Sequence, residues 1–387
     1  MKTILMNWQL NNSFGWGIFG LNIFCHWAND PLVRPVMGQL INEDDIFGLD
    51  PLRLSRVMHA VVESNNFLNR LVPKNGLTQA DATVIDCLGN GLVPSTVVGR
   101  KNIGRCIFED TRLDDIGKRL SKYDALVCGS SWNAGLLQTA SGRDAEVIWE
   151  GIDPSLFCPG PKSGLMNPDL FYIFSGGKVE YRKGQDLVLL AFREFSKKHD
   201  AAVLVTAWHS PWPQFSAGFR GRLEVALELD PNGILNIRKW VAVNGINPGK
   251  VIDVGRIPNQ FMPAILREMD VSLQPSRAEA CTNLPVKEAM ACALPAIIAN
   301  NTGMRDLITA ENCVALDSQA PVSGFVECGT EGWGESNVDE IVQALETLYQ
   351  DRERRREVGQ AAARWIAGNR TWNQHAAQLR DFVFSVG

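Results

Sequence analysis

The sequence predicts an α/β protein built from two doubly wound, parallel-sheet domains. Three observations carry this. Short apolar runs alternate with longer amphipathic stretches along nearly the whole chain. Eleven of those runs read as strands, more than one such sheet usually holds. A turn-rich stretch then divides the chain, which at 387 residues is longer than one ordinary core.

In the first half the strand candidates are Thr3–Asn7, Val84–Cys87, Ile103–Phe108, Ala125–Cys128 and Glu146–Trp149. In the second half they are Phe171–Phe174, Ala202–Ala207, Val251–Val254, Val271–Gln274, Ala296–Ala299 and Cys313–Leu316. Helical periodicity falls on Gln185–Lys197, Asn259–Arg267, Val338–Leu348 and Glu353–Ile366, and a last helix is expected over Thr371–Phe384 after the break at Gly368-Asn369. Residues 151–169, with four prolines and three glycines, form the clearest linker. Ala320–Asn337, rich in glycine and polar residues, reads as a surface loop. The expected division is residues 1–160, 161–368, and a C-terminal helix 369–387 packing back on the first domain.

Composition excludes classes without selecting a function. Hydrophobic residues at 45% and charged residues at 21% describe a globular chain. Thirty-eight basic against 43 acidic residues, a net charge of −5, argue against nucleic-acid backbone as the main partner. No apolar run approaches the ~18 residues of a membrane span. The first 15 residues carry one lysine and too short an apolar stretch for a secretory signal, so a cytoplasmic location is expected. The nine cysteines form no C-x-x-C clip and sit mostly in apolar runs, where they act as small core residues. The five histidines show no zinc spacing, and no metal site is expected.

Three constellations could carry chemistry. Gly15-Trp16-Gly17-Ile18-Phe19-Gly20 matches G-x-G-x-x-G, in which glycines admit a phosphate to the backbone at a helix N-terminus. A dinucleotide site needs the first glycine directly after the strand and an acid ending the second strand. Here Gln9–Gly15 intervene, and Asp30 precedes the Leu32–Met37 run while Glu43 lies beyond it. Nicotinamide or flavin binding, another ligand loop and a plain turn are the three readings.

The second constellation runs from Phe174 to Gly184: a strand ends at Gly176 and Gly177, and Lys178, Arg182 and Lys183 follow before a helix. This suits a diphosphate at the carboxyl edge of a sheet. The G-K-[ST] ending of a P-loop is missing, which disfavours triphosphatase activity; a solvated charged turn is the alternative. The third runs from Pro275 to Met290. A strand opens into a loop bearing Glu279, and a helix starts near Leu284 with Pro285 in its first turn and Glu288 about one turn in. Glu288 as a mere favourable helix-end charge is worth only ~0.3–1 kcal/mol. That reading leaves unexplained the polar residues at the strand's mouth, where open α/β sheets bind ligands.

These residues, in this order, resemble the retaining, nucleotide-sugar-dependent glycosyltransferases of family 4 (group 1), which have the GT-B fold of two facing Rossmann-like domains. VIWEGIDPSLFCPGP is similar to the interdomain signature of that family, and FSGGKVEYRKGQDLVLLAF to its diphosphate loop. VIDVGRIPNQFMPAILREMDVSLQPSRAEA and LPVKEAMACALPAIIANNTG are similar to the segments flanking its donor glutamates. The resemblance is strong over residues 145–310 and weaker over the first domain, through the glycine loop and GRCIFEDTRLDDIGKRLSKYDALVCGSSWN.

The resemblance implies that Lys178 and Lys183 neutralise the donor diphosphate, with lysine replacing the family's arginine at 178 and so losing a planar fork. It implies Glu279 near the donor sugar and Glu288 on the ribose hydroxyls. Gly176, Gly177, Arg182 and the Cys281, Thr282, Asn283 and Leu284 stretch complete the donor wall. Eight residues separate Glu279 from Glu288, one more than the common spacing. Gly15, Gly17 and Glu109 are the acceptor-side or phosphate-loop candidates. Glu109 stands in the region of a family histidine missing from Cys87–Gly91; an exposed loop acid beside Asp110 is the equal alternative.

The implied activity is metal-independent retaining transfer from a nucleotide-sugar donor to a carbohydrate or lipid-linked acceptor, without a cofactor and with at most peripheral membrane contact. Closure is expected around Ser163-Gly164. A nucleotide-sugar epimerase on the same fold, a dinucleotide-dependent oxidoreductase and a non-catalytic sugar-binding relic are the rivals. The Trp208–Pro213 loop is an aromatic surface for carbohydrate stacking or ordinary packing.

Overall fold

The computed structural model describes residues 1–91, 96–323, 325 and 327–386. They form two α/β domains, each around a six-stranded sheet whose strands all run parallel. In the first domain the sheet order is Val33–Met37, Lys2–Met6, Thr83–Leu88, Lys101–Cys106, Ala125–Cys128 and Glu146–Val147. In the second it is Val251–Asp253, Ala202–His209, Phe171–Lys178, Val271–Gln274, Ala296–Ala299 and Val314–Leu316.

All eleven expected strands are present, within a few residues at their ends. The twelfth, Val33–Met37, is an edge strand containing Pro35. Proline cannot donate to a ladder and is tolerated where one side lacks a neighbour, so this run hides its strand character. The stretch Ala320–Asn337 differs from the expected surface loop. Gln319–Pro321 and Gly334–Ser336 pair antiparallel at its ends, and residues between them touch the first domain; 324 and 326 lie outside the described residues.

Each sheet is covered on both faces. Ile173, Leu204, Val271 and Ile297 point to one face of the second sheet beneath Leu187–Phe195 and Ile341–Leu348. Phe174, Val205 and Ile298 point to the other, against Val286–Met290 and Ile366. The period-2 alternation of strand side chains produces this partition.

The chain passes between domains twice. Glu150–Ile152 leads out of the first domain, and Thr371 returns beside it: Ile152 N–H donates to Arg370 O at 2.8 Å, and Trp372 N–H to Ile152 O at 3.1 Å. Residues 153–165 lie on the second domain, held by Arg267 on the carbonyls of Leu156 and Cys158 and by Glu268 on Ser163 N–H. Ser163-Gly164 is therefore away from the crossing. The helix Trp372–Ser385 packs on the first domain, where Trp372, Ala376, Leu379 and Val383 join Phe19, Phe24 and Trp27 in one core. Trp27 Nε1–H donates to Ala376 O at 2.9 Å.

Candidate active site

Strand order decides where a ligand can enter. In the second sheet the connections leave in opposite directions from the neighbours Phe171–Lys178 and Val271–Gln274, so a crevice opens at their carboxyl ends. The first sheet has the same switch between Lys2–Met6 and Thr83–Leu88. The two crevices face each other across a cleft of about 450 Å³.

The second-domain wall concentrates charge. Tyr181–Lys183 is a single 3₁₀ turn after the first strand, and the 275–279 loop folds onto it, with Arg277 N–H donating to Arg182 O at 2.7 Å. Arg277 itself is buried, bidentate to Asp186 at 2.8 and 2.6 Å and bonded to Tyr181 O, which fastens the two loops together. Gly177, the last residue but one of the strand, has φ +116°, a conformation L side chains rarely adopt, and faces open cleft.

Glu279 is the hub. Its carboxylate accepts from Lys183 Nζ at 2.8 Å, Arg182 Nη1 at 2.8 Å and Asn283 Nδ2 at 2.7 Å. Burial alone would raise its pKa; Lys183 and Arg182 outweigh that and hold it below the ordinary carboxyl range. Arg182 meets two further carboxylates, Glu109 at 2.6 Å from the first domain and Glu180 at 2.9 Å. Lys178 pairs with Glu180 and lies 5.6 Å from the Trp212 ring centroid. The three cations Lys178, Arg182 and Lys183 are thus matched by the three carboxylates Glu109, Glu180 and Glu279.

Below Glu279 the 280–283 loop turns into the helix Leu284–Ala291, whose cap is Asn283 Oδ1, accepting from Val286 N–H at 3.2 Å. Cys281, Thr282, Asn283 and Leu284 all line the cleft. Thr282 Oγ1 is buried there without a hydrogen-bond partner among the described residues. Glu288, a turn deeper, is buried and bonded to Asn259 Nδ2; burial pushes its carboxyl up to about 8, against the smaller opposing effects of Asn259 and Lys287.

Gly15 opens the first-domain helix Gly15–Trp27 and lies on the cleft with open space before it. Gly17 does not. A Cβ there would sit 2.0 Å from Asn11 Nδ2, and Asn11 Oδ1 holds the amides of Ser13 and Phe14 at 2.9 and 3.0 Å. Its expected place in a phosphate loop is corrected: Gly17 lets the 8–14 segment pack on the helix. Eight residues separate the first strand from this helix, so the tight turn of a dinucleotide fingerprint is missing as well. Glu109 lies at the cleft, paired with Arg182.

Of the remaining site residues, Glu180 and Glu150 carry no local sequence signal, whereas His209 and Trp212 lie in the aromatic loop already marked in the sequence. Glu180 looks like one charge of a mixed run and is the partner of both Lys178 and Arg182. His209 and Trp212 come from the aromatic loop and line the cleft, Trp212 at 6.0 Å from Phe14 of the first domain. Burial, with Arg256 nearby, lowers the His209 pKa and keeps the ring neutral. Glu150 lines the cleft floor and receives buried Arg105 at 3.3 Å and buried Lys287 at 3.2 Å. Their opposite charges in distant segments were the available clue. Among the described residues no cluster of three or more His, Cys, Asp or Glu side chains is disposed to hold a metal, and no helix is long and apolar enough to cross a membrane.

Residues 171–351 match the family described as glycosyl transferases group 1. No curated protein matches the chain significantly by sequence. Among solved structures, the sucrose-phosphate synthase of Thermosynechococcus elongatus superposes with a TM-score of 0.67 at 14% identity, both chains fully covered. Anabaena Alr3699/HepE in complex with UDP-glucose gives 0.67 at 13% identity, again with full coverage of both. A glycosyltransferase from Rickettsia africae gives 0.65 at 12%, covering all of this chain and 98% of the other. At such identities the likeness is one of fold. Two facing parallel-sheet domains give the chain the GT-B fold, and the second of them matches the glycosyl transferases of group 1.

Proposed function

We propose that the protein transfers a sugar, with retention of anomeric configuration, from a nucleoside-diphosphate donor to a carbohydrate or lipid-linked hydroxyl. The observation that carries this reading is the convergence of Lys183 and Arg182 on Glu279 at the second-domain switch point. One similar fold, Alr3699/HepE, was solved both with UDP-glucose and with UDP, which supports a donor of this class.

The glycosidic C1–O bond to phosphate breaks as a bond from the acceptor oxygen to C1 forms. Charge accumulates on the leaving diphosphate, beside Lys183, Arg182, Lys178 and the backbone at Gly177. Preorganised cations and amides in a water-poor cleft are worth far more there than in water. Glu279 holds both cations until the diphosphate claims them, and then faces the donor sugar's hydroxyls. Glu288 sits at the depth of the ribose and accepts from its hydroxyls, while Thr282 Oγ1 supplies an unused polar contact.

Among the described residues, Glu109 and Glu150 are the carboxylates on the first-domain side of the cleft. Both are committed to cations. This favours attack from the leaving-group face, with the acceptor proton passing to the departing phosphate oxygen. Lysine and arginine supply the charge stabilisation, so activity is expected to survive EDTA.

A thermal-shift screen with uridine, guanosine and adenosine diphosphates, followed by incubation with the matching nucleotide sugars, tests the reading. Stabilisation by one of the three and slow release of sugar are expected. Absence of both would overturn it, and conversion of donor sugar without acceptor or hydrolysis would favour an epimerase.

A further inference from the structure

The loop carrying Glu109 is gripped from both domains. Within the first, Asn90 Oδ1 accepts from Glu109 N–H and Asp110 N–H at 2.8 and 3.0 Å, and Asn90 Nδ2 donates to Asp110 O at 2.6 Å. The other side is held by the second domain. Gly329 N–H donates to Asp110 Oδ1 at 2.6 Å and Thr111 N–H to Gly329 O at 3.1 Å. Glu331 N–H reaches Thr111 Oγ1 at 3.0 Å, and the Trp333 indole N–H reaches the Glu109 carbonyl at 3.2 Å. A Cβ on Gly329 would lie 2.6 Å from Arg112 N, so this approach needs glycine. The root of the segment is firm: Gly334 N–H donates to Arg277 O at 3.0 Å, and Glu335 accepts from Arg277 Nε at 2.7 Å. Arg277 belongs to the loop that ends in Glu279.

We propose that residues 329–333 form a positioning strap that holds Glu109 at Arg182 and makes this contact conditional on domain closure. The strap joins the Glu279 loop of one domain to the Glu109 loop of the other. Opening the cleft on this side breaks four hydrogen bonds and the Glu109–Arg182 pair together. Arg182 therefore carries its full set of carboxylates in the closed state, with Glu109 kept in place by its own loop. Gly329 and Trp333 act through Glu109 and are positioning residues. The kinetic consequence rests on the donor reading above; the mechanical one does not.

Two variants of the full chain test this. Gly329→Ala forces the strap off Arg112, and Trp333→Phe removes one donor while keeping an aromatic ring at the site. Donor-binding residues lie in the second domain, so the Kd for uridine, guanosine or adenosine diphosphate, whichever binds, should stay within about twofold. The transfer kcat should fall about tenfold or more, with acceptor-free hydrolysis rising relative to transfer. Hydrogen exchange of peptides spanning 108–113 and 327–333 should be slow in the native protein and much faster in Gly329→Ala. Equal losses in affinity and turnover, unchanged transfer, or fast native exchange of both peptides would each overturn the strap. If the native protein binds none of the three nucleotides, the donor reading fails, and hydrogen exchange still decides the strap.

Discussion

Glu279 and Glu288 share a short stretch of chain and are held in opposite states. Glu279 faces Lys183 and Arg182 and stays ionised despite burial; Glu288 faces an amide and is pushed up to about 8. Glu279→Gln should cut transfer at least a hundredfold, ~3 kcal/mol in the barrier, with a smaller loss in nucleoside-diphosphate affinity. Lys183→Ala should instead weaken that affinity about tenfold, measured by calorimetry, since a charge-assisted contact is worth ~1.5–3 kcal/mol.

Glu288 predicts a pH dependence. Its carboxyl takes a proton more readily in the folded protein than in the unfolded chain, so the protein without nucleotide added loses stability as pH rises from the ordinary carboxyl value of 4.5 to about 8. Nucleotide binding runs the other way. The carboxylate accepts ribose hydroxyls, so affinity is full above pH 8 and weakens as pH falls below it. Titrations on either side of pH 8 should show this slope, and Glu288→Gln should remove it.

At the scale of elements, the glycine loop divides by position. Gly15 opens onto the cleft, whereas Gly17 is pressed beneath Asn11. Gly17→Ala should destabilise by ~1–3 kcal/mol, as overpacking does, and lower Tm by several degrees; Gly15→Ala should leave Tm nearly unchanged. The G-x-G-x-x-G match was legible in the sequence, but spacing alone could not say which glycine met a ligand and which met a side chain. The same holds for Val33–Met37, where proline concealed an edge strand, and for Ala320–Asn337, where glycine-rich polarity concealed an interdomain contact.

Across the whole molecule, the domains are joined by a buried network and a returning helix. Glu150 leaves the first domain and collects Arg105 from its sheet and Lys287 from the second domain. Lys287→Met leaves this buried carboxylate with one cation, and breaking such a set costs ~3–5 kcal/mol. Chemical denaturation should show that loss. Removing residues 371–387 would uncover Trp27 and Phe19, and the shortened chain should lose first-domain cooperativity and aggregate.

The sequence by itself determined the strand–helix alternation, the two parallel-sheet domains and the order of the Lys183, Glu279 and Glu288 segments. These properties are local: a side-chain period and a run of turn residues are set by neighbours in the chain. Tertiary structure decided that Arg182 would meet carboxylates from both domains, that Lys287 would be buried on Glu150, and that residues 329–333 would reach Glu109. A charge in a sequence carries no record of its partner, because pairing depends on how separate segments cross, and here that crossing is made by two sheets facing one cleft.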